Sequence, residues 1–328
     1  MAQVDNKGMV RGTAGSVVYR SYREKNIIQG KPRKFKQTQA SIKASTEFGL
    51  SSSAAAVIRR AFQPAYVHRD GKAVSRSTQL VYRALRNSLS GSVGQRDLHD
   101  ANLQDLVGLD FNAECPLQEI LQLNHRVSRD AEGNVQVELA SFCPSRDLRK
   151  MRGAPPRATL YRIRLMLVAF DFRREYLEYL DMRDLDVYSG KTLEKQLITL
   201  KGTQEPGCMM LLSMSLLLYN GMGQTGEYVL LNNKGFSPGA LIGAFEASSP
   251  SERTAEPLKL SKEAYPDRFE KIREMGYAGN LLLRDLPIHL RKACDGKSQP
   301  DSAKVPGPLL KQTTKLPHRG EKISFKKL

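Results

Sequence analysis

The twelve residues from Cys208 to Tyr219 carry no charge and read Cys-Met-Met-Leu-Leu-Ser-Met-Ser-Leu-Leu-Leu-Tyr. A membrane-spanning helix needs roughly 20 apolar residues, so the run is too short to be one. It is apolar on both faces whether read with the period of a strand or of a helix. A segment of that kind needs both sides covered, which predicts either a central strand or a buried helix. Periodicity does not separate the two. Either one demands a core around it. Hydrophobic residues make up 40% of the 328, more than a wholly disordered chain carries. The middle of the chain, roughly 200 residues, is long enough for one core.

The flanking sequence predicts strands. In 158–172, Leu160, Arg162 and Arg164 alternate with Tyr161, Ile163 and Leu165. That is the period of two expected of a strand. Further strand candidates are 175–188, 193–201, 207–219, 226–231 and 240–247. Ile120–Leu123 and Val135–Leu139 flank the polar loop Asp130-Ala-Glu-Gly-Asn134, which predicts a hairpin. Strands at regular spacing with Gly, Pro and Asn between them suggest an antiparallel sandwich.

Before this β-rich part, residues 15–36 read as a hairpin turned at Glu24-Lys25-Asn26. Gly30 and Pro32 end its pairing, because Pro has no N–H for a ladder. Residues 39–62 read as a helix that Gly49 to Ser53 can break in two, closed by Pro64. A second helix is expected over 75–89 and a weaker one near 97–107. After a linker over 248–261, a helical segment is expected over 264–293, broken near Gly276 and Gly279 and again at Pro287. Beyond Gly296, few apolar residues and repeated Pro, Lys and Gly predict a disordered basic tail.

Charge is uneven along the chain. Lys and Arg number 51 against 34 Asp and Glu, a net +17. Residues 1–86 hold 17 basic and 4 acidic residues, a net +13, and residues 291–328 hold 10 and 3, a net +7. The middle, 87–290, holds 24 and 27, a net −3. A near-neutral body with two basic ends points to a partner of opposite sign: nucleic acid, an anionic membrane surface or an acidic protein. Basic ends that only keep the chain soluble are the bland alternative.

Named chemistries are poorly supported. Gly12 and Gly15 precede a strand, and no Gly-Lys-Ser/Thr follows to make a P-loop. The histidines His68, His99, His125, His289 and His318 fall in no metal-binding spacing. The four cysteines are far apart, with no C-x-x-C. With no apolar signal segment at the N-terminus, that usage suggests a reducing, cytoplasmic setting. No cofactor is expected. The carboxylates Asp171, Glu175, Glu178, Asp181, Asp184 and Asp186 form the one acidic cluster. On a strand, Glu178, Asp184 and Asp186 would share a face, as acid–base or metal chemistry requires. Arg173, Arg174 and Arg183 between them suit a mixed, solvated face instead.

The N-terminal stretch resembles a family of uncharacterised bacterial proteins found mostly in Bacteroidota. Those open with Gly-x-x-Gly-x-x-Val-x-Tyr, a basic hairpin, a Lys-Gln-Thr segment and an aromatic-Gly helix. The matching residues are Gly12, Gly15, Val18 and Tyr19 (spacing shifted by one), Lys25, Lys31-Pro32, Lys36-Gln37-Thr38 and Phe48-Gly49. The likeness covers about 70 residues, and it implies a β-rich continuation and no activity.

The expected fold is α+β: a basic hairpin with helices over 1–110, a mainly antiparallel β-sandwich over 111–250, a linker with short helices over 251–295, and the tail over 296–328. The leading functional expectation is a non-enzymatic binder of a polyanion, with nucleic acid as the polyanion. Arg20, Arg23, Lys25, Lys31, Arg33, Lys34 and Lys36 would meet phosphates, and Tyr19, Tyr22 and Phe35 would stack on bases. The alternative is an assembly subunit that oligomerises through the hairpin by strand addition. An enzyme using the 171–186 carboxylates ranks third.

Overall fold

The computed structural model describes residues 2–6, 8–22, 25–31, 37–88, 91–149, 154–155, 158–202, 207–221, 227–246, 261–263 and 265–295, the last four of these by backbone only. The fold is α+β with antiparallel sheets, as expected.

The apolar run forms a central strand. β10 (Met209–Gly221) pairs along its length with β7 (Leu160–Asp171), from Met209 opposite Phe170 to Tyr219 opposite Leu160. β8 (Tyr176–Tyr188) lies on the other side of β7, and the short β13 (Ile272–Glu274) closes that edge. The far edge of β10 is shared by β12 (Gly239–Phe245) at one end and β11 (Tyr228–Leu230) at the other.

Alternation then explains why the run is apolar throughout. Met209 and Leu211 point into one core, and Met210, Leu212, Met214, Leu216 and Leu218 into another. On the first face lie the helices α1 (Gln39–Ala61), α2 (Ala73–Arg86) and α5 (Gly279–Asp295). Rings cross this layer in contact: Tyr66 on Phe111, Phe62 on Phe170, Phe170 on Phe172, and Phe172 edge-on to Tyr277. On the second face lies a small sheet of β5 (His125–Arg129), β6 (Val135–Leu139) and β9 (Gln196–Leu200). Its Val135, Val137, Leu139 and Leu200 are fully buried toward the central sheet. Two single helical turns, α3 (Leu117–Ile120) and α4 (Pro144–Asp147), border this second core.

Several local expectations are corrected. The turn α3, begun after Pro116, replaces the strand expected at 120–123, and the hairpin strand is β5 instead. α1 does not break at Gly49. A Cβ there would come 2.8 Å from Leu282 Cδ1, so the glycine marks where α5 crosses α1 closely. The helix expected near 97–107 is only a 3-10 turn at 103–106; the side chains of Asp97, Asp100 and Asn102 bond nearby backbone N–H groups there. The segment after 264 contributes β13, because buried Ile272 pairs opposite Glu178. α5 then runs from Gly279 through Pro287 without stopping. Residues 248–260 of the expected linker and the tail after Asp295 lie outside the described residues.

The N-terminus forms a separate four-stranded antiparallel sheet: β1 (Gln3–Val4), β2 (Val10–Ala14), β3 (Val17–Tyr22) and β4 (Lys25–Gly30). The expected hairpin is β3–β4, but Lys25 and Asn26 belong to β4 and not to the turn. Two further strands extend it. None of its described residues is buried, and its strands pack chiefly on one another.

Candidate polyanion interface

Cross-strand partners in an antiparallel ladder share a face. In β3–β4, Tyr19 lies opposite Ile28 and Val17 opposite Gly30, with Ala14 of β2 opposite Val17. The other face carries Val18 opposite Gln29, Arg20 opposite Ile27, and Tyr22 opposite Lys25. The expected binding set is therefore split. Arg20, Tyr22 and Lys25 sit together on one face, and Tyr19 sits on the reverse beside Val17 and Ile28. The same two-residue period that marks the strands contains this division. Lys31 follows β4, with its N–H bonded to the Ser16 carbonyl at 2.6 Å. Arg23, Arg33, Lys34, Phe35 and Lys36 lie outside the described residues.

Arg20, Lys25 and Lys31 are exposed. No described carboxylate forms an ion pair with any of them; Arg11 of β2, by contrast, lies 3.7 Å from Asp5. The body is different. Arg76 pairs with Asp70 at 2.7 Å, Arg96 with Glu47 at 3.1 Å, and Arg173 with Asp97 at 2.8 Å. Tyr22 is 58% exposed and Ile28 66%, while Val17 and Tyr19 are half-buried.

The acidic cluster of 171–186 is occupied. Arg164 holds Asp184 in a fork at 2.8 and 2.7 Å, and Arg162 holds Asp186 likewise at 2.7 Å. The Arg162 guanidinium, through its hydrogen bonds and its charge, keeps the Asp186 carboxyl below its usual range. Glu178 is bound by Arg268. It does not share a face with Asp184 and Asp186, which corrects the strand reading. A bulge at Leu180 inserts one residue into β8 and flips everything before it relative to everything after. Glu178 thus lies opposite Ala169 on the small-sheet side, and Asp184 opposite Arg164 on the helix side.

Asp171 organises the tight β7–β8 connection. Its carboxylate accepts from the N–H groups of Arg173 and Arg174, both at 3.0 Å, and from Arg174 Nε at 2.6 Å. Asn280 of α5 donates to the carbonyls of Phe172 and Arg173 and to Glu175 Oε1. Glu175 takes φ +62°, the left-handed turn the connection requires. These groups fasten α5 to the hairpin. Among the described residues no three His, Cys, Asp or Glu side chains converge as metal ligands would.

No family model, no curated protein and no solved structure matches the chain. No described helix is long and apolar enough to cross a membrane.

Proposed function

We propose that the chain is a non-enzymatic polyanion binder whose N-terminal sheet contacts nucleic acid. One observation carries this reading: Arg20, Lys25 and Lys31 have no acidic partner among the described residues, while Arg76, Arg96 and Arg173 of the body are each paired with a carboxylate. Arg20, Lys25 and Tyr22 on one face combine phosphate-binding charge with a ring for stacking. The test is anisotropy of a labelled single strand across a salt series. Wild type binds more weakly as salt rises. Substituting Arg20, Lys25 and Lys31 together by Ala weakens binding and lowers the log–log salt slope by about 2, near 0.7 per lost contact. Affinity that is flat with salt in wild type sinks the reading.

A second reading has its own support. The face with Val17, Tyr19 and Ile28 carries no charged residue on β3 or β4 and is not buried by the body. A partly exposed apolar face of this kind suits assembly with another protein surface. Light scattering on Tyr19→Ser/Ile28→Ser separates the two: a smaller particle with unchanged nucleic-acid affinity assigns that face to assembly.

A further inference from the structure

Arg59 is the one buried cation among the described residues, only 8% exposed. Four partly buried arginines of the body meet carboxylates: Arg76 with Asp70, Arg96 with Glu47, Arg164 with Asp184, Arg268 with Glu178. Arg59 meets none among the described residues. One of its terminal nitrogens donates to the neutral hydroxyl of Ser77, which itself donates to the Ala73 carbonyl at 2.7 Å. Its Nε is buried with no hydrogen-bond partner, as is that of the ion-paired Arg76. A buried charge without a counter-charge is costly, and a bound anion would supply that counter-charge.

The surroundings add charge of the same sign. Arg59 lines a half-open cavity of about 570 Å³ with Arg60, Gln63, Tyr66, Arg69 and Gly276. Arg60 and Arg69 are exposed at its rim. Arg60 donates to the Met275 carbonyl, and no described carboxylate forms an ion pair with either. Asp70, next in sequence to Arg69, is spent on Arg76 and on the N–H groups of Lys72 and Ala113. The Tyr66 hydroxyl donates to the Arg59 carbonyl at 2.8 Å and fixes the end of α1. Burial and the nearby Arg69 charge both push the Arg59 guanidinium below its ordinary value. A helix C-terminus favours cations by itself, but its carbonyls give no reason for a third arginine across the cavity.

We infer that this cavity binds a phosphate group, as the dianion of a monoester or of free phosphate. Three guanidiniums around one opening favour a doubly charged oxyanion over the single charge of a phosphodiester, and guanidinium forks fit phosphate oxygens. The site is distinct from the N-terminal sheet and does not depend on the reading given to it.

The test is calorimetric titration of the full chain, at fixed ionic strength, with inorganic phosphate, a nucleoside 5′-monophosphate, the unphosphorylated nucleoside and a dinucleoside monophosphate diester. Inorganic phosphate and the 5′-monophosphate should bind, the nucleoside should not, and the diester should be weaker. A 5′-monophosphate tighter than phosphate identifies a phosphorylated small molecule, and equal affinities identify free phosphate. Arg69→Ala, at an exposed position without hydrogen bonds to lose, should weaken binding about tenfold, the worth of one charged hydrogen bond. Arg59→Lys probes the buried group. If it fails to fold, Arg69→Ala still decides. The Arg20/Lys25/Lys31 triple substitution should leave phosphate affinity unchanged. No binding of either phosphate, equal binding of the nucleoside, an undiminished affinity in Arg69→Ala, or a loss in the triple variant would each overturn the inference.

Discussion

His99 shows how much a single buried side chain fixes. Its Nε2 accepts the N–H of Phe172 at 3.1 Å. An atom that accepts cannot carry a proton, so this hydrogen bond fits a neutral ring with its proton on Nδ1, which is buried without a partner of its own. Asp171 lies 3.6 Å away and Asp97 and Asp100 are close, which taken alone would favour the imidazolium. Burial outweighs them, helped by the Arg173 charge, and holds the pKa below its ordinary value. The unfolded chain therefore takes up this proton first as the pH falls. The contribution of neutral His99 is complete above about pH 6.5 and declines as the pH drops through the window below it. Thermal melts of His99→Gln, whose amide oxygen can replace the acceptor, should lose less stability than wild type between about pH 6.5 and 5. At about pH 8, His99→Ala should cost about 3 kcal/mol, through a cavity and an orphaned N–H. Parallel acid slopes in wild type and His99→Gln would show that the group stays out of the acid transition.

At the scale of elements, close approach sets where α5 docks. A Cβ on Gly279 would collide with the Tyr277 ring and come 2.6 Å from Leu50 of α1. Gly279→Ala should therefore destabilise by about 1–3 kcal/mol, read as a lower melting temperature. Gly71→Ala, with open space around the position and an ordinary φ, should be near neutral. Such contacts are long-range, and this explains which elements were legible in the sequence. The strands β7 to β12 announce themselves by local alternation or by the doubly apolar run. β13 and the unbroken α5 do not, because a three-residue strand and a helix carried past Pro287 are decided by the sheet and by α1. The Leu180 bulge was equally hidden, and with it the separation of Glu178 from Asp184. The hairpin's cations were legible as composition and its two faces as parity. Arg59 was not, since nothing local marks a buried arginine whose neighbours come from residues 69 and 276.

For the whole molecule, the decisive contrast is between a body with two cores and a sheet with none. The body buries apolar side chains on both faces of β10, and removing that surface from water is the main source of its stability. β1–β4 contribute no buried residue to either core. Removing them should therefore leave the melting transition of the body in place. The cut belongs after Gln37, because Thr38 caps α1 by accepting the Ser41 N–H at 3.2 Å. Losing such a cap costs about 1 kcal/mol, so a cut one residue later would confuse the result. A chain beginning at Thr38 should melt within a few degrees of the full chain, on the order of the shift that 1 kcal/mol produces. The same truncation removes Arg20, Tyr22 and Lys25 together with Val17, Tyr19 and Ile28, so it should abolish both salt-dependent binding and any assembly made through the sheet. A large fall in melting temperature would instead mean that the sheet supports the body. Arg20 and Lys25 would then have to be read as part of the fold and not as a surface kept for a partner.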